Sequence, residues 1–160
     1  MIIAVIGNSE CKEDICDIAY RVGKEIALSG HILVNGGRGG VMEASAHGAY
    51  DAGGITIGIL PQSRSEANPY IKIPIVTGIG ECRNMTIIKT ADVVIAIDGS
   101  FGTLSEMAFA LKMGVPLIGI KTWKLSSDFA PYSEIHRVED PKEAVKLAIK
   151  LGERKKIGKV

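Results

Sequence analysis

The chain has no surplus of either charge, since 19 Lys and Arg face 18 Asp and Glu. A whole-molecule field able to attract nucleic acid or an anionic membrane is therefore not expected, and any anion site has to be local. Cysteine is scarce. Cys11, Cys16 and Cys82 are odd in number and lack both CxxC and His-x-x-x-His spacing, which argues against a disulfide framework and against a zinc site. No metal is expected, and this cysteine usage suits the cytoplasm. Long apolar runs are missing too. Residues 1–6 are apolar but too short to cross a bilayer and have no basic segment before them, so they read as a buried strand, with no membrane partner. Repeats and low-complexity tracts are absent. So are two well-known phosphate signatures: G-x-x-x-x-G-K-[ST] does not occur, and no glycine cluster has G-x-G-x-x-G spacing. Their absence disfavours a P-loop NTPase and an ordinary NAD dehydrogenase.

What is present is apolar residue, 46% of 160, enough for one domain over 1–160 to bury a core and too short a chain for two. Short β-branched runs such as Ile2–Ile6 and Val93–Ile97 alternate with longer stretches of helical spacing, such as Ile15, Ile18, Ala19, Val22 and Ile26. The alternation predicts strands near 2–6, 31–34, 55–60, 73–76, 93–97, 116–120 and 134–138. Helices are predicted near 12–29, 40–52, 83–91, 103–113 and 141–152. Strands apolar along their whole length need helices on both faces. The expected fold is α/β: a three-layer, doubly wound, Rossmann-like parallel sheet of about seven strands. Pro61–Tyr70 and Lys121–Tyr132 are the irregular segments, and loops of that length often cover a site. Arg154, Lys155, Lys156 and Lys159 read as a solvated basic end.

Three predicted strands end in small or glycine-rich turns: Gly7-Asn8-Ser9, Gly36-Gly37-Arg38-Gly39-Gly40, and Asp98-Gly99-Ser100-Phe101-Gly102-Thr103. Glycine there lets the backbone turn sharply and approach a ligand, and the next helix aims its unpaired N–H groups at it. In a parallel sheet all three turns share the carboxyl edge, where such folds bind ligands. The expected ligand is a small phosphorylated molecule, with its phosphate on the Asp98–Thr103 turn. Arg83 falls in the first turn of a predicted helix, where the dipole disfavours a cation; a ligand anion would explain it, as would a pairing with Glu81 or exposure to solvent. Glu106 closes Thr103-Leu104-Ser105-Glu106, a capping-box pattern in which it would bond back to its own helix start. Glu43 reads as a helix-start acid. Cys82 is taken as a small buried residue, since no histidine stands in a catalytic pattern with it. His31, His47 and His136 lack metal-ligand spacing, and Asp140-Pro141 reads as cap and first residue of a helix.

Taken in order, Gly36-Gly37-Arg38-Gly39-Gly40-Val41-Met42-Glu43-Ala44, Gly53–Pro61, Arg83 followed by Ala91-Asp92, and Gly99–Glu106 resemble the LOG-like superfamily, whose members are often labelled "possible lysine decarboxylase". The resemblance spans roughly residues 1–120. No lysine here stands in a pyridoxal-phosphate pattern, so the decarboxylase label is set aside. Within the superfamily, Lonely Guy enzymes are phosphoribohydrolases that cleave the N-glycosidic bond of a nucleoside 5′-monophosphate. Their pattern pairs an Arg-Lys on one helix with Pro-Gly-Gly-x-Gly-Thr-x-x-Glu at the next strand–helix turn. The resemblance makes Arg83 and Glu106 the catalytic candidates. Asn84 replaces the lysine and Asp98-Gly99-Ser100 replaces Pro-Gly-Gly, and these departures look more like the branch that contains the molybdenum cofactor carrier protein, known for binding rather than hydrolysis.

Two functions remain open from the sequence, and the intact glycine clusters argue against a third, a structural or regulatory subunit that keeps the cleft as a relic. A hydrolase would need no cofactor: Glu106 would stabilise an oxocarbenium-like state or position water, Arg83 would bind and stabilise, and Gly99–Thr103 would hold the phosphate. Asp98 would repel a phosphate placed beside it unless it faces a ribose hydroxyl or another donor. A carrier or sensor would use the same edge to bind a nucleotide or a pterin-type molybdenum cofactor without chemistry. The resemblance also implies a homodimer or homotetramer.

Overall fold

The computed structural model describes residues 1–125 and 135–157. Seven strands form one all-parallel sheet: β1 (Ile2–Gly7), β2 (Ile32–Asn35), β3 (Thr56–Leu60), β4 (Ile73–Val76), β5 (Val93–Ile97), β6 (Leu117–Ile120) and β7 (Ile135–Arg137). Five α-helices intervene or follow: α1 (Glu13–Leu28), α2 (Val41–Asp51), α3 (Asn84–Thr90), α4 (Phe101–Lys112) and α5 (Pro141–Ile157). The strand order is β4-β3-β2-β1-β5-β6-β7. From β1 the chain winds outward to β4, then returns to the centre and winds outward the other way from β5. The connections reverse between β1 and β5, and this switch point opens a crevice at the strands' carboxyl ends.

Alternation along the central strands builds two cores. Ile3 and Val5 of β1 face α1 and α5, with Ala19, Val22, Ile26 and Val145. Ala4 and Ile6 face the other way, toward Ile87 and Ile88 of α3 and Met107 and Ala110 of α4. Burial on both faces is why these strands read as unbroken apolar runs. β4 differs because it is an edge: Ile73, Ile75 and Val76 are each nearly half exposed.

Three local expectations need correction. The structure pairs Cys11 with Cys16 in a disulfide, with Cα atoms 5.6 Å apart; the second cysteine lies on the first turn of α1, which brings a five-residue separation within reach. Cys82 is exposed, because it sits on a 3-10 turn (Gly80–Arg83) whose buried member is Arg83. The Thr103–Glu106 capping box does not form. The helix begins two residues earlier, at Phe101 after Ser100, so Thr103 and Glu106 are both interior to it. Asp140 does cap α5, its Oδ1 accepting from the N–H groups of Lys142 and Glu143 at 2.9 and 3.0 Å. Of the predicted irregular segment 121–132, residues 126–132 lie outside the described residues, as do Lys159 and residue 134 of the last predicted strand. Among the described residues no helix is long and apolar enough to cross a membrane, and no group of His, Cys, Asp or Glu is arranged to hold a metal ion.

Candidate functional site

The crevice holds a cleft of about 190 Å³ bounded by the first loop, the glycine-rich loop after β2, the Gly80–Arg83 turn and the start of α4. Gly7, Asn8, Ser9, Gly36, Arg38, Arg83, Asn84, Ser100, Gly102, Thr103 and Glu106 line it, residues far apart in sequence that the switch point brings together. Six other candidates do not line it: Gly37, Gly39, Gly40, Asp98, Gly99 and Phe101. Physical reasons are visible for several of these. At Gly40, φ is 62° and a Cβ would fall 2.4 Å from the Asn8 carbonyl oxygen, so this glycine lets two loops touch. Phe101 turns its ring outward, 78% exposed, against Trp123. Asp98 faces a separate hollow on the far side of Asn8.

Arg83 is the centre of the cleft's electrostatics. Only 3% exposed, it donates from Nη1 to Asn84 Oδ1 at 2.8 Å. No carboxylate lies within ion-pair distance of it among the described residues, and its Nε has no hydrogen-bond partner. Burial pushes its pKa down, while the charges of Glu106 and Glu81 push it back up. Gly36 makes room for it, since a Cβ there would come within 2.5 Å of Nη1. Thr103, 2% exposed, has a second orphaned atom, Oγ1. Buried groups of this kind are rare because each forfeits its hydration.

One helical turn beyond Thr103, on the same face of α4, stands Glu106. It is 6% exposed, and burial raises its pKa from 4.5 to about 8; Arg83 opposes the shift and Glu81 adds to it. At neutral pH the carboxyl is therefore mostly protonated. The α4 N-terminus lacks a side-chain cap, and Ser100, Gly102 and Thr103 at its start line the cleft. There Arg38 Nη1 and Glu81 Oε1 form an exposed pair at 3.3 Å.

Two supports were not foreseen from the sequence. Asn35, fully buried at the end of β2, accepts from the Gly37 N–H and donates to the Met42 carbonyl, both at 2.8 Å. A strand-end Asn just before a Gly-Gly is an Asx-turn signal that could have identified it. Asn68 donates to the carbonyls of Gly37 and Arg38 at 3.0 and 2.9 Å, tying the Pro61–Tyr70 loop to the site. Its role depends on a contact about thirty positions away along the chain, and no local pattern marks it.

A doubly wound parallel sheet with a crevice at its switch point defines a Rossmann-like α/β fold. More specifically, the chain belongs to the SLOG cluster4 family, which matches residues 1–145. It is similar to the molybdenum cofactor binding protein from the phototrophic bacterium Rippkaea orientalis, at 39% identity and a TM-score of 0.86 over 94% of this chain and 96% of that one. The molybdenum cofactor carrier protein from Chlamydomonas reinhardtii is 34% identical, with a TM-score of 0.83 over 94% and 97% of the two chains. Cytokinin riboside 5′-monophosphate phosphoribohydrolase LOG from Oryza sativa subsp. japonica is 34% identical over 96 residues, 57% of this chain but 39% of that protein. The LOG-like membership read from the motifs holds, on a branch close to the molybdenum cofactor carriers.

Proposed function

We propose that the chain binds the phosphate end of a phosphorylated small molecule, a pterin-type molybdenum cofactor or a nucleotide, and acts as a carrier. The observation that carries this reading is that Arg83 and Thr103, each with a buried polar atom that lacks a partner, Nε and Oγ1, both line the cleft. A phosphate in the cleft would offer acceptor oxygens to these two side chains, and its charge would compensate the buried guanidinium. The cleft's 190 Å³ is below the roughly 300–1,000 Å³ of pockets that enclose a whole drug-sized ligand, which suits a site for one end of the molecule. Asn84 in place of the Lonely Guy lysine favours holding over cleavage. The partly exposed apolar residues of β4 support assembly of copies as a dimer or tetramer.

One observation favours the hydrolase as a second reading: a carboxyl with its pKa near 8, a turn from the anion subsite, is poised to protonate a leaving base. One experiment separates the two. The purified protein is incubated with a panel of nucleoside 5′-monophosphates and assayed for free base and ribose 5-phosphate, while its copurified ligand is identified by mass spectrometry. A carrier yields no release and a tightly held phosphorylated cofactor; catalytic release from any nucleotide overturns the carrier reading.

A further inference from the structure

On the other side of Asn8 lies a larger hollow of about 550 Å³, bordered by the start of α1 and the ends of β5 and β6. Asn8 lines both spaces, so they adjoin. Asp98 and Lys121, the residues that follow β5 and β6, both line the hollow. They are also the two non-glycine residues with left-handed backbone among the described residues, at φ 53° and 48°. Such conformations are strained and concentrate where a side chain has to be aimed. The Asp98 backbone is held on both sides: its N–H donates to the Ile120 carbonyl at 3.1 Å, and the Thr122 hydroxyl donates to its own carbonyl.

Charge divides unevenly within this hollow. Lys121 Nζ is satisfied by Asp14 Oδ2 at 3.2 Å. Asp98, half-buried, has no side-chain hydrogen-bond or ion-pair partner among the described residues. A second phosphate is a poor occupant, because Asp98, Asp14 and Glu10 outnumber Lys12 and Lys121 in the lining and Lys121 is already paired. A free carboxylate suits a neutral group that presents two adjacent donors. The amino-lactam edge of guanine or a pterin is one such group, and a vicinal diol is another.

We infer that this second hollow receives the uncharged, donor-bearing remainder of the ligand whose phosphate sits against Arg83 and Thr103, with Asp98 as the acceptor that selects it. The inference rests on the phosphate reading above and assigns the other end of the same molecule. The volume, within the range of ligand pockets, accommodates a bicyclic ring or a sugar.

Titration calorimetry on the intact protein tests it with inorganic phosphate, guanosine 5′-monophosphate, its 2′-deoxy analogue and adenosine 5′-monophosphate. Guanosine monophosphate should bind at least about tenfold tighter than phosphate, consistent with charge-assisted hydrogen bonds to one carboxylate. Asp98→Asn should reduce that advantage to within about twofold and leave the phosphate Kd unchanged. Loss of the advantage with adenosine monophosphate assigns the contact to the base edge; loss with the deoxy analogue assigns it to the diol. Asp98→Gly, which relaxes the left-handed backbone while removing the carboxylate, should bind as Asp98→Asn does and fold at least as stably as the parent. A nucleotide advantage retained in both variants overturns the inference. Failure of the parent protein to bind phosphate would overturn the phosphate reading instead.

Discussion

Arg83 and Lys121 lie on opposite sides of the Asn8 loop, and their surroundings treat the same charge differently. Lys121 is about half exposed and already paired with Asp14. Arg83 is buried, bonded to a neutral amide, and faces a carboxyl whose pKa burial has raised to about 8. An exposed pair in water is nearly balanced before and after any ligand arrives, so it contributes little to binding. A buried cation left without a carboxylate gains strongly when an anion enters. Proximity to charge on this sheet edge does not separate the two hollows; burial without compensation does, and the phosphate reading proposed above rests on it.

The largest effect should come from Glu106. The folded chain holds this proton up to about pH 8, whereas the unfolded chain releases it near 4.5. The native state thus binds more protons across that window, and stability falls as pH rises through it and levels off above. Glu106→Gln removes the penalty. Urea denaturation should show the variant gaining on the parent between pH 5 and 9, by an amount on the order of 4 kcal/mol at the top of the range. A constant difference across the window would mean that Glu106 is charged at neutral pH and pairs with Arg83 after all.

Next in size is Arg83. Arg83→Ala should weaken phosphate binding about a hundredfold by calorimetry, and Arg83→Lys should restore only part of it, because the ammonium cannot reproduce the guanidinium's fixed fork. The smallest effect belongs to the other side of the loop. Asp14→Asn breaks an exposed pair and should leave the thermal midpoint and the phosphate Kd unchanged within error. A large loss there would erase the contrast between the two hollows.

The sheet was legible because its signal is local. Val93–Ile97 and Ile2–Ile6 are apolar on both faces, and all seven strands fall where the runs predict them. Arg83 and Glu106 stood out for reasons that the structure then changed. The capping-box pattern at Thr103–Glu106 is a spacing rule, and spacing does not reveal that the helix has already begun at Phe101, which turns Glu106 inward. For Arg83 the broken dipole rule was the useful clue, although it precedes α3 rather than opening it. Asp98 looked like part of a phosphate cradle because it adjoins Gly99 and Thr103 in sequence. Its left-handed φ, which no composition rule announces, is what accompanies its place in the neighbouring hollow. The Cys11–Cys16 pair escaped notice because an odd cysteine count says nothing about two of the three meeting across a helix start.

The winding order around the switch point also bears on how the site comes into being. One wall of the cleft is made by the turns after β1 and β2, the other by residues 81–84, which follow β3 and β4, and by the start of α4, which also follows β5. During synthesis the first wall emerges with nothing opposite it, and contacts this distant in sequence form late and slowly. On the phosphate reading proposed above, capacity to hold an anion should therefore appear only once β5 has docked beside β1 and brought the start of α4 with it, which makes ligand binding a report on that docking.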